Sequence, residues 1–139
     1  MNAPLYTIEI LRLAGSLPDP TRLDRIDGAA HVRSPTCGSS VHTEVRMEGG
    51  AVAAVSQQVR ACAFGQAAAA LVAQHSVGRS RDDVAAALEA LSAWLEGGRD
   101  DPGGWGLEAL APARPRTSRH QAIVLPLRAL LAAIEDSAA

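Results

Sequence analysis

The sequence predicts an α+β fold: a three-stranded antiparallel sheet covered on one face by helices, with a further helix at the N-terminus. Three observations carry this. Residues 41–48 alternate apolar and polar, a Gly49-Gly50 pair follows, and an apolar run returns after it. From residue 63 onward, alanine and leucine recur at helical spacing. Strands first and helices after is the α+β order. With 139 residues, 47% of them hydrophobic, residues 1–139 read as a single domain able to bury a core of ordinary size.

Residues 4–15 set Leu5, Ile8, Leu11 (or Ile10) and Leu13 among polar neighbours, the pattern of a short amphipathic helix. Gly15-Ser16-Leu17-Pro18-Asp19-Pro20 breaks it, so residues 1–20 read as a helix and linker able to move or to dock on a partner. Ala29 to Arg33 supply a short strand. Val41, Thr43, Val45 and Met47 alternate with His42, Glu44, Arg46 and Glu48 in the next. The return strand carries Val52, Val55 and Val59, and its slip of phase after Val52 predicts a bulge. Ala63 to Val77 then form a helix that stops at Gly78. Ser80 and Asp83 make a capping box for a helix striped by Val84, Ala87, Leu88, Leu91 and Leu95, which Gly97-Gly98 closes. Residues 99–116 are a Gly/Pro-rich connection anchored by Trp105, Leu107 and Leu110. Leu127, Leu130, Leu131 and Ile134 mark the last helix, with Pro126 expected in its first turn.

Charge and composition exclude several functions. A net charge of −2 and a pI near 6.0 do not suit a nucleic-acid binder, and aromatic residues for base stacking are scarce. No apolar run approaches the roughly 20 residues that span a bilayer. The N-terminus lacks a basic start and long apolar stretch, so the expected compartment is the cytoplasm. Neither a phosphate-binding loop, a dinucleotide fingerprint nor a Ser-His-Asp set is present, and the chain does not read as an enzyme.

Two cysteines remain. Cys37 lies in the Pro/Gly turn Ser34-Pro35-Thr36-Cys37-Gly38-Ser39 before a strand. Cys62 lies where a strand ends and a helix begins, so unpaired N–H groups and the positive end of the helix dipole favour negative charge there. A stable disulfide is not expected in a cytosolic chain. Two turn thiols 25 residues apart can converge on one point, or can be unrelated; spacing alone leaves both open. Among the histidines, His42 falls on the polar face of its strand and His75 beside Phe64 and Leu71, while His31 is uninformative.

These residues resemble the U-type iron–sulfur cluster assembly scaffold family (IscU, SufU and the N-terminal domain of NifU) over about residues 5–136. The family's Asn-Pro-x-Cys-Gly-Asp turn is matched by Ser34 to Ser39, and its Gly-Cys-Ala-Ile-Ser-x-Ala-Ser-x-Ser motif aligns without gaps on Ala61 to Ala70. Gly78-Arg79 matches a Gly-Lys or Gly-Arg step. Arg119-His120-Gln121-Ala122 stands where SufU-like members carry Arg-x-x-Cys.

The resemblance implies a SufE/IscU-like architecture and a site for sulfur and iron at Cys37 and Cys62. It implies a transient cluster of the 2Fe–2S type or a bound zinc as cargo, or neither. It also implies a cysteine desulfurase and recipient apo-proteins as partners, with a homo-oligomer possible and no nucleic acid or membrane. The chain departs from the pattern at two donors: Ser39 replaces the aspartate after Cys-Gly, and Ala122 replaces the third cysteine. His120 and Ser39 are the candidates for additional ligands, and Arg119 for support of the site. A degenerate relative that keeps the fold for protein interaction or regulation, and a zinc-binding sulfur-transfer protein, are the alternative readings.

Overall fold

The computed structural model describes residues 6–36 and 38–138. Leu5 and Cys37 lie outside those residues. Thr7 caps α1 (Ile8–Gly15) by accepting the Ile10 N–H, and an irregular segment leads to β1 (Gly28–Arg33). Then follow β2 (Ser40–Glu48), β3 (Ala51–Arg60), α2 (Ala63–His75) and α3 (Arg81–Leu95). A 3-10 helix over Leu107–Ala113 and a short turn at Thr117–Arg119 lead into α4 (His120–Ser137). The strands form an antiparallel sheet in the order β1-β2-β3, as the alternation predicts.

Gly49 and Gly50 have φ of 57° and 81°, the left-handed pair that a tight hairpin demands. Met47 pairs with Val52 but Arg46 pairs with Ala54, so Ala53 is the extra residue of the expected bulge. That slip sets both faces of β3. Val41, Thr43 and Val45 point inward opposite Val59, Gln57 and Val55. The buried amide of Gln57 donates to the Ala69 carbonyl at 3.0 Å, tying the sheet to α2.

The inner face is covered by α2 and α4, with α3 beyond α4 and α1 against α2. Phe64, Val45, Leu91, Leu107, Leu110, Ile123, Leu127 and Leu130 are fully buried and form the centre of the core. Close helix contact follows from the alanines of α2: Ala67, Ala68, Ala69 and Ala70 are all buried. Gly28 lies so near α4 that a Cβ there would overlap the Ala133 carbonyl.

Two expectations are corrected. In α1 the buried residue is Ile10, helped by Tyr6, whose ring centroid lies 5.0 Å from that of Phe64; Ile8 and Leu11 face outward at 70% and 53% exposure. A stripe of four apolar residues on an eight-residue helix allows two phases, and packing on Phe64 selects the one through Ile10. The last helix begins at His120, and Pro126 is inside it. A proline deletes the hydrogen bond to the carbonyl four residues back, here that of Ala122. Burial of Ile123, Leu125 and Leu127 outweighs that loss.

Candidate functional site

Ser40, the first residue of β2, pairs with Arg60, the last of β3, and also with Arg33, the last of β1. The loop 34–39 and the step into α2 therefore leave the sheet at the same end. The loop is closed by the Ser34 N–H donating to the Ser39 carbonyl at 2.9 Å, and its Ser34 hydroxyl lies 3.4 Å from the Thr36 hydroxyl. Gly38 has φ of 74° with open space where a Cβ would sit, so its glycine is there for the turn rather than for packing. Ser39 is buried at the end of this loop.

Cys62 is the N-cap of α2, in extended conformation (φ −67°, ψ 174°), half-buried and with a free thiol. Its carbonyl accepts the Gln66 N–H at 2.9 Å, and the Gln66 amide reaches back to the Ala61 carbonyl at 3.0 Å. The Cys62 side chain makes no capping hydrogen bond, and no acid lies in the first turn. The thiol therefore stands at the positive end of a helix that neither a capping bond nor a first-turn acid offsets, an environment that favours negative charge.

The third position of the expected set lies at the same place. A Cβ on Gly65, in the first turn of α2, would lie 3.1 Å from the Ala122 carbonyl oxygen and 3.3 Å from the Ala122 Cβ. Ala122 is thus buried against the helix turn that Cys62 opens. His120 is differently engaged. Its Nε2 lies 3.1 Å from the Ala113 carbonyl and 2.9 Å from that of Arg114, so it is the N–H donor to them, and only Nδ1 keeps a lone pair. Arg119 is half-exposed at the α4 N-cap, its N–H donating to the Arg116 carbonyl. Among the described residues, which leave out Cys37, no three His, Cys, Asp or Glu side chains are grouped to hold a metal ion. Nor, among them, is any helix long and apolar enough to cross a membrane.

His42, expected on the polar face, is there, with Nε2 3.3 Å from Glu44. What sequence reasoning missed is its company. His31 pairs directly with His42, their ring centroids 5.9 Å apart, beside Arg33 and Arg60. The bulge carries the signal for Arg60's place beside Ser40. Counting back from Gly49-Gly50 without it sets Val59 opposite Ser40; the extra residue moves Arg60 there instead.

No protein-family model matches the chain, and no curated protein matches it significantly in sequence. Solved structures do. The N-terminal part of a nitrogen-fixing NifU-like protein from Brucella abortus superposes with a TM-score of 0.89 at 29% identity, over 96% of this chain and 94% of that one. A putative iron–sulfur cluster assembly scaffold protein for the SUF system from Fervidobacterium islandicum superposes at 0.82 with 15% identity, over 94% and 96%, which speaks for the fold. By fold, and by its sequence likeness to the NifU-like domain, this chain is similar to the U-type iron–sulfur cluster assembly scaffold proteins.

Proposed function

We propose that this protein is a cluster assembly scaffold that accepts sulfur and iron at Cys37 and Cys62. It acts as one domain over residues 1–139, in which the 1–20 segment can undock, and not as an enzyme. The reading is carried by one observation: the pairing of Ser40 with Arg60 sends the loop 34–39 and the Cys62 helix N-terminus out of the same end of the sheet. Its sulfur comes from a cysteine desulfurase. A scaffold thiolate attacks the terminal sulfur of the donor's persulfide, a new S–S bond forms, and the donor cysteine leaves as thiolate. Iron and sulfur are cargo, passed on to recipient apo-proteins.

Two thiolates are fewer than the about four donors that a tetrahedral iron or zinc takes. Ser39 offers a hydroxyl, a weak ligand at neutral pH, and His120 has only Nδ1 to give. The remaining ligands then come from a second copy of the chain or from a small thiol. The same shortfall favours the second reading, an interaction module that keeps the fold and carries no cluster; a zinc-binding sulfur-transfer protein lies between the two.

Anaerobic reconstitution with iron and sulfide separates them. The scaffold gives visible charge-transfer absorption that Cys37→Ser and Cys62→Ser each abolish. Identical spectra from the native chain and the double variant would remove the scaffold reading. Binding of a desulfurase that is unaffected by Cys37→Ser would then favour the interaction module.

A further inference from the structure

The outer face of the sheet has two unlike halves. Over the half towards the hairpin, the segment before β1 is pinned down: the Thr21 N–H donates to the Ser56 hydroxyl at 2.9 Å, and Asp24 lies 3.3 Å from Arg46. The arginines there are neutralised. Arg46 also meets Glu48 at 3.0 Å, and Arg25 meets Asp27 at 2.9 Å.

The other half, at the cysteine end, is basic, with His31, Arg33, Gln58 and Arg60 exposed. Two cross-strand rows, Arg33-Ser40-Arg60 and His31-His42-Gln58, share this face and line a depression of about 310 Å³. Arg33 and Arg60 are two strands apart, roughly 10 Å between Cα atoms, close enough for both guanidinium groups to serve one carboxylate-bearing segment. Among the described residues neither has an acidic partner, and Glu44, bonded to His42, marks where the depression ends. On a chain of net charge −2, an unneutralised basic hollow beside the proposed sulfur-accepting loops is a distinct charge feature.

We propose that this hollow docks an acidic segment of the protein that exchanges sulfur or iron with the scaffold, an inference that rests on the scaffold reading above. Arg33 and Arg60 receive its carboxylates, Ser40 and Gln58 hydrogen-bond to it, and the docked segment lies across the sheet end next to the cysteine-bearing turns. An extended acidic strand suits the site better than a small oxyanion, because the two arginines flank Ser40 instead of meeting over it.

The test uses the full chain and a fluorescent oligoglutamate peptide, read by anisotropy, with oligoglutamine as the neutral control. Arg33→Glu combined with Arg60→Glu weakens binding about tenfold or more, raised salt weakens it further, and Arg116→Glu, the same charge change at an exposed site in the 99–116 connection, leaves it unchanged. If the double variant does not fold, the single Arg60→Gln carries the test with a loss of about threefold. Unchanged binding, or equal weakening by Arg116→Glu, would overturn the proposal. So would inorganic phosphate binding as tightly as the peptide, which would make the hollow a small-oxyanion site. Self-association abolished by the double variant would identify a second copy as the occupant and overturn it too. The two readings fail separately. Cys62→Ser keeps peptide binding, and the arginine variant keeps reconstitution with free iron and sulfide, since no protein partner takes part there.

Discussion

Helices α2 and α3 both start from an extended N-cap residue, yet they finish their N-termini in opposite ways. At α3 the Ser80 hydroxyl accepts the Asp83 N–H at 3.1 Å, and the Asp83 carboxylate accepts the Ser80 N–H at 2.9 Å. Hydrogen bonds from Ser80 hold the Asp83 carboxyl below its ordinary range. Every feature of that end serves stability. At α2 the cap is Cys62, which makes no capping bond, and the next polar side chain, Gln66, turns back to the Ala61 carbonyl. The α3 end is closed by its own side chains, while under the scaffold proposal the α2 end is the one that receives sulfur and iron.

The largest effect comes from closing the space that joins α2 to α4. Gly65→Val forces a side chain into Ala61 and Ala122, and should cost about 3 kcal/mol or more in urea unfolding. Next is the thiol that is missing. Ala122→Cys sets sulfur against the first turn of α2 and should tighten retention of added zinc or cobalt roughly tenfold or more; unchanged retention would mean that this position does not face the site. Ser80→Ala should cost about 1 kcal/mol, since it removes a cap. Cys62→Ser should do the reverse at the other end, gaining up to about 0.5 kcal/mol because serine is a good N-cap, while it removes cluster assembly. A loss of stability in Cys62→Ser would break the contrast.

The smallest effect is a pH dependence confined to α3. A folded carboxyl with a depressed pKa stabilises above its unfolded value, about 3.9, and that contribution disappears as pH falls through the lower folded value. The gap in urea midpoint between the native chain and Asp83→Asn should therefore be steady near neutrality and close below about pH 4.

Much of this contrast can be read without coordinates. Ser80 and Asp83 stand at capping-box spacing, and the alternation of β2 with Gly49-Gly50 fixes the hairpin. The helix order follows from the 3.6-residue stripes. What stays hidden is whatever depends on packing between distant segments. The phase of α1 is chosen by Phe64, and the start of α4 is set by Ile123 and Leu125 despite Pro126. Trp105, foreseen as an anchor, takes a positive φ of 62° with Arg79 over its ring, which no local pattern encodes. The 3-10 helix over Leu107–Ala113 likewise carries no periodic signal of its own. For the site, the two cysteines and the substitutions Ser39 and Ala122 are visible as motif positions, but the packing of Ala122 on Gly65 is a tertiary fact. The commitment of His120 Nε2 to two carbonyls is another.

The scaffold proposal requires that Cys37 and Cys62 share one metal. X-ray absorption at the zinc edge of the zinc-loaded protein tests it most directly, because it counts sulfur ligands in solution. In buffer free of small thiols the scaffold reading predicts at least two sulfurs at about 2.3 Å, with the count lowered by Cys62→Ser and by Cys37→Ser alike. A first shell of nitrogen and oxygen alone, unchanged by either substitution, would contradict it.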